Sequence, residues 1–114
     1  MSEHRSAGKT TLSPDVLLTI AHQSALEVDG VSGMAPVRGS VNRLFGRTIE
    51  GVRMSVEDNN VFVDLFLIVK NDFNLREISR MVQQKVARSI ADITGLEVGH
   101  VNIHIEDIDY PSEA

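Results

Sequence analysis

The chain has 114 residues, a formal net charge of −5 and no cysteine, which allows one hydrophobic core and is too short for two independent domains. The lack of cysteine removes disulfide frameworks, thiolate metal sites and cysteine nucleophiles, and it fits a reducing compartment, so a cytoplasmic location is expected. No stretch approaches the ~18 apolar residues of a membrane span, and Met1 to Thr10 lacks the apolar run of a signal peptide. Membrane association is therefore expected only peripherally, through a partner.

Residues 1–10 are polar and mixed, offer nothing to bury and are expected to form a flexible tail. Ser13-Pro14 starts a helix, because the serine side chain caps the first amides and proline at the first helical position forfeits no useful hydrogen bond. The spacing predicts this helix to about Val28, with Val16, Leu17, Ile20, Ala21, Ser24, Ala25 and Val28 on one stripe. Gly30 supplies the left-handed stop.

From Val31 to Glu50 the composition turns to glycine, proline, serine and arginine, which predicts an irregular loop over 31–50. Loops longer than about 12 to 15 residues without structure of their own are uncommon and usually functional or poorly ordered. Charge gathers here: between Met34 and Arg53 stand Arg38, Arg43, Arg47 and Arg53 against Glu50 alone, a local balance of +3 that leaves −8 on the rest of the chain. An acidic body opposes nonspecific nucleic-acid binding, whereas a basic loop on it can dock one anionic patch.

Gly51 to Glu57 alternates, with Val52, Met54 and Val56 on one face. Asp58-Asn59-Asn60 is turn chemistry, and Val61 to Lys70 resumes as a second strand, so the two form a hairpin. Val61, Val63, Leu65, Leu67 and Val69 make one wholly aliphatic face of that strand; Phe62, Asp64, Phe66, Ile68 and Lys70 make a mixed one. Asn74 caps a second helix, with Glu77 reaching back toward it. Its apolar stripe is Leu75, Ile78, Val82, Val86, Ile90 and Ile93, and Gly95 ends it. A last strand, about Glu97 to Ile108, sets Val101, Ile103 and Ile105 against His100, Asn102, His104 and Glu106, and residues 109–114 form an acidic tail.

These elements predict a single α+β domain over residues 11–108 in the order α-β-β-α-β. The right-handed crossover rule makes the second and third strands parallel. With the first strand placed between them, the expectation is a three-stranded mixed sheet of order 2-1-3 with both helices on one face. The other face then carries Phe62, Phe66 and Ile68 beside Arg53, Ser55, Asn102 and His104. An apolar patch there is unusual on a monomer and points to self-association or partner docking; scattered aromatics covered by the long loop or a tail are the alternative.

No catalytic constellation stands out. His100 and His104 have a four-residue ligand spacing, but on a strand that places them roughly 13 Å apart, at ~3.3 Å per residue, so no metal is expected. No serine stands in a Gly-x-Ser-x-Gly turn. The segment Gly39 to Gly46 lacks the lysine and hydroxyl of a phosphate-binding loop. Gly30-Val31-Ser32-Gly33 matches the Gly-x-x-Gly of KH-type RNA-binding domains, where that loop joins two helices and clamps a nucleic-acid backbone; here it also reads as a helix stop followed by a turn.

The same residues carry a family resemblance. Leu12-Ser13-Pro14-Asp15-Val16-Leu17 opens a helix and Glu27-Val28-Asp29-Gly30-Val31-Ser32-Gly33-Met34 closes it. Gly51-Val52-Arg53-Met54, Val61-Phe62-Val63-Asp64-Leu65, Thr94-Gly95-Leu96-Glu97-Val98 and Val101-Asn102-Ile103-His104-Ile105 follow in order. Together they resemble the alkaline shock protein twenty-three family, also known by the Gls twenty-four name, over about Thr11 to Ile108. The resemblance implies a bacterial, cytoplasmic, non-enzymatic protein linked to envelope or alkaline stress, able to assemble with itself and in some members held at the membrane by a separate anchoring partner. It carries over no catalytic residue and no cofactor. One departure is Asn71-Asp72-Phe73-Asn74, where members often show Tyr-Gly before the helix.

Two readings of function follow. The first is a self-associating scaffold or adaptor, a homo-oligomer with a membrane-anchored protein partner and no small-molecule substrate, using Phe62, Phe66, Ile68 and His104 of the open face and Arg38, Arg43 and Arg47 of the loop. The second is a small RNA-binding module using Gly30 to Gly33 and the same arginines. RNA binding weakens steeply with salt, while association through apolar groups survives it or strengthens.

Overall fold

A computed structural model of the chain describes residues 8, 11–37 and 47–111. The elements run α1 (Pro14–Leu26), β1 (Val31–Met34), β2 (Arg47–Ile49), β3 (Val52–Glu57), β4 (Asn60–Lys70), α2 (Leu75–Thr94) and β5 (Glu97–Asp109).

Both helices begin where the sequence says they should and α2 also ends there, whereas α1 stops at Leu26 with Glu27 as a right-handed cap, short of the expected Val28 and the Gly30 stop. The Ser13 side chain accepts from the Asp15 amide at 3.2 Å, and Pro14 is the first helical residue of α1. Asn74 Oδ1 accepts from the Glu77 amide at 3.0 Å at the start of α2, and Gly95, at φ 77°, turns the chain out of it. The α2 stripe packs as its periodicity predicts, with Ile78, Val82, Val86 and Ile90 buried, while Leu75 and Ile93 at its ends stay exposed. The α1 stripe is rotated from the expected one: Leu18 is buried and Val16 is exposed. Val16 and Leu18 flank the arc at opposite edges, and periodicity alone does not distinguish which flank turns inward.

Among the described residues the sheet has five strands, and this corrects the expected three-stranded sheet of order 2-1-3. β4 is central. β5 runs parallel to it along its whole length, from the Asn60/Glu97 pair to the Lys70/Asp109 pair. On the other side β3 pairs antiparallel with the first half of β4 and β1 with the last part, and β2 lies outside β3. The physical reason is burial. The helix-side row of β4, Val61, Val63, Leu65, Leu67 and Val69, is wholly inaccessible, which requires strands on both flanks as well as helices above. The Asp58-Asn59 turn, with both residues at positive φ (49° and 69°), closes a two-residue hairpin that fixes β3 on one flank. The other flank is then the place for β5.

β1 and β2 fall inside the segment expected to be an irregular loop. They have four and three residues, too few for alternation to be read. Residues 38–46 lie outside the described residues, and with them Arg38 and Arg43.

Both helices cover one face. Leu17, Leu18, Ala21 and Ala25 of α1 join Ile78, Val82, Val86 and Ile90 of α2, the aliphatic row of β4, Val52 and Met54 of β3 and Val101 of β5 in one core. The opposite face of the sheet carries neither helix.

Candidate functional site

The open face is an array built by register. Arg53 of β3 and Asn102 of β5 sit opposite Asp64 of β4; Ser55 and His100 sit opposite Phe62; His104 sits opposite Phe66. Two Phe/His cross-strand pairs therefore flank one Asp/Asn pair.

The Phe66 and His104 rings are stacked, with centroids 4.5 Å apart and planes 11° apart, and the Arg53 guanidinium carbon lies 5.4 Å from the Phe66 centroid. Phe66 is 3% exposed. It does not present its ring to solvent, although the alternation placed it on the uncovered face; the imidazole and guanidinium beside it turn it into a second, local core. Phe62 and Ile68 remain partly exposed, as does His104. The Phe62 ring tilts against His100, centroids 4.9 Å apart, and lies over Gly99, where a Cβ would come within 2.3 Å of Phe62 Cε1. Gly99 is the extra residue of a bulge in β5, since Val61 pairs with Val98 and Phe62 with His100.

Asp64 is the hub of this face. Its Oδ1 accepts from Asn102 Nδ2 at 3.1 Å and from His104 Nε2 at 3.1 Å, and its Oδ2 lies 3.4 Å from both Nε and Nη2 of Arg53. Burial pushes the Asp64 carboxyl up, but the bonds from His104 and Asn102 and the Arg53 charge together outweigh it and hold the group below the usual aspartate range. A carboxylate so held is a fixed negative charge, the opposite of what a general base near neutrality needs. Among the described residues no three His, Asp or Glu side chains converge on a point that could hold a metal ion.

The other sequence-predicted positions do not join this array. Arg47 falls in β2, in register with Met54. Gly30, at φ 100°, turns the chain from α1 into β1, with Phe73 and Ile78 packed where its Cβ would be, and Gly33 is in β1, paired with Ile68. The Gly30 to Gly33 segment is thus a turn running into a paired strand, not a loop between two helices. On the helix side, a shallow groove between the end of α1 and α2 is lined by Glu27, Asp29, Met81, Lys85, Arg88 and Asp92 among others, and Lys85 pairs with Glu27 at 3.2 Å. Its acids and bases are interleaved, and nothing in it converges. The Asp64 hub was missed by sequence reasoning because its partners lie 11, 38 and 40 residues away. The signal available was a lone acid set between two phenylalanines on one strand face.

No described helix is long and apolar enough to cross a membrane. The profile of the alkaline shock protein twenty-three family, described as having a cell envelope-related function, matches residues 2–110. The chain is 29% identical over 116 residues to the uncharacterized protein YqhY of Bacillus subtilis, covering 98% of this chain and 85% of the relative. It is 27% identical over 106 residues to the uncharacterized protein Spy1614 of Streptococcus pyogenes, covering 89% and 88%. Among solved structures, a single-site variant of the MamM CTD superposes with a TM-score of 0.54 at 10% identity, covering 85% of this chain and 100% of that one. The copper form of the MamM CTD superposes with a TM-score of 0.53 at 16% identity, covering 87% of each. At such identities the likeness is one of fold.

Proposed function

The chain belongs to the alkaline shock protein twenty-three family, whose function is cell envelope-related, and from that premise we propose that it is a non-enzymatic, self-associating scaffold or adaptor of the envelope, docked on a membrane-anchored protein partner. The observation that carries this reading is the asymmetry of the sheet. One face is closed by two helices; the other carries no helix among the described residues, with Phe62, Ile68, His100 and His104 partly or wholly accessible. A sheet face mixing apolar side chains with fixed polar groups suits a protein surface, where apolar contact supplies affinity and placed hydrogen-bonding groups supply register. The acidic body and the pairing of Gly33 within the sheet favour a protein partner over RNA.

The reading is tested by a photo-crosslinking amino acid placed at Phe62 in one variant and at Gln84, on the exposed side of α2, in another. Discrete adducts with a membrane-fraction protein from the Phe62 position alone are the expected result. Equal adducts from both positions, or adducts from Gln84 only, would overturn the assignment of the open face.

A further inference from the structure

We propose that a second copy of this chain pairs antiparallel along the outer edge of β5, centred on Ile103, joining two sheets into one. This deepens the self-association proposed above, rests on it, and leaves the open face to the other partner.

The main-chain bonds of β5 carry the first step. Among the described residues β5 pairs with β4 alone. At its two ends the Glu97 amide donates to Asn59 O and Asp109 O accepts from the Asn71 amide, so odd-numbered residues turn their polar groups toward β4 there. Each of the two bulges, at Gly99 and at Glu106, shifts that alternation by one residue. Between them His100, Asn102 and His104 face β4, while Val101, Ile103 and Ile105 aim their amides and carbonyls outward. One of these groups is satisfied: Gln83 Nε2 of α2 donates to the Val101 carbonyl at 3.0 Å.

The side chains of the same residues carry the second step. Val101, Ile103 and Ile105 lie on the helix side, yet of the three only Val101 is fully buried, and Ile103 and Ile105 are packed against the core with part of their surface exposed. An edge strand that has no further strand partner among the described residues and carries half-covered isoleucines is the kind of edge that recruits another strand.

The pattern about Ile103 identifies the occupant. Val101-Asn102-Ile103-His104-Ile105 reads aliphatic-polar-aliphatic-polar-aliphatic in both directions, so a two-fold axis through Ile103 sets Ile103 on its own copy, Val101 on Ile105, and Asn102 on His104. The self-complementary patch is what an isologous interface requires. The same axis sets His100 opposite Glu106 and Asp107 opposite Gly99, leaving Glu97 and Asp109 as the one facing pair of acids, while a parallel in-register arrangement would set every acid of β5 on its own copy. Gln83 is the built-in restraint, because its hydrogen bond to Val101 must be exchanged for one from the Ile105 amide of the second copy.

The test follows amide exchange of the full chain across concentration. Val101, Ile103 and Ile105 are expected to exchange more slowly as concentration rises, while Phe62 and Phe66 stay unchanged. Ile103→Pro, which removes an outward amide of an edge strand along with part of a half-buried side chain, and Ile103→Lys, which opposes two ammonium groups across the axis, are each expected to give a monomer with a cooperative melt. Gln83→Ala is expected to tighten association roughly tenfold by removing the competing bond in both copies. A wild-type assembly that survives both Ile103 substitutions overturns the edge pairing and leaves self-association through another surface. A wild-type monomer at every concentration overturns both, and protection of these amides only by a different protein would make the edge that protein's site.

Discussion

β4 has two faces that differ more than any two regions of this molecule. Toward the helices, five aliphatic side chains in alternation are wholly inaccessible; toward the open side, Phe62, Asp64, Phe66 and Ile68 make a graded surface on which one ring is buried, one carboxylate is fixed and the rest stay partly accessible. One strand thus separates folding from recognition, because side chains two residues apart share a face and neighbours never do. The boundary is not at the sheet plane, however. Phe66 belongs energetically with the core although it points away from it.

The largest effect expected from breaking this comparison is Val86→Asp, which buries an unpaired charge among α2, α1 and the sheet; global unfolding, a loss of at least roughly 3 kcal/mol, should appear as the absence of a cooperative melt. Phe66→Ala comes next at about 3 kcal/mol in chemical denaturation, the behaviour of a core position. A cost below about 1 kcal/mol would return Phe66 to the surface. Gly99→Ala is expected to cost roughly 1 to 2 kcal/mol, because its Cβ would meet the Phe62 ring. Combining it with Phe62→Ala should recover most of that loss in a double-mutant cycle.

Asp64 sharpens the comparison through pH. Its folded-state pKa is lowered, so it contributes stability that is fully present above the ordinary aspartate pKa and is lost as pH falls through the lowered folded value. Wild type should therefore lose stability through this group on acidification below the ordinary aspartate pKa, and Asp64→Asn should lose that part of the slope in melts taken from pH 6 to 2. The smallest effect on stability is expected from Phe62→Ser, below about 1 kcal/mol, with the fold intact and docking on the open face impaired.

The local chemistry of this fold was legible in the sequence. Ser13-Pro14, Asn74 with Glu77, Gly95 and Asp58-Asn59 each act where they were read, because caps and tight turns are decided by residues within four positions of one another. The order of strands was not legible, since nothing in the alternation of Gly51 to Glu57 says on which flank of β4 it pairs. β1 and β2 were too short to carry a period, and β1 includes Gly33, which contributes no side chain to a pattern. The open face was read correctly as the side without helices, and Phe62 and Ile68 lie on it partly accessible. Its internal organisation was not, because the burial of Phe66 depends on His104 stacking from a strand 38 positions later and on Arg53 from another. Such pairs follow from register, and register here depends on two bulges that no local motif announces.

The most direct measurement is the solution mass of the full chain by light scattering across concentration, at low and at high salt. The account predicts a mass that rises above the 12.5 kDa of one chain to a dimer or larger and is undiminished by salt, as expected for association through main-chain pairing and apolar contact. A constant mass of one chain under all conditions, or an assembly that salt dissolves, would contradict it.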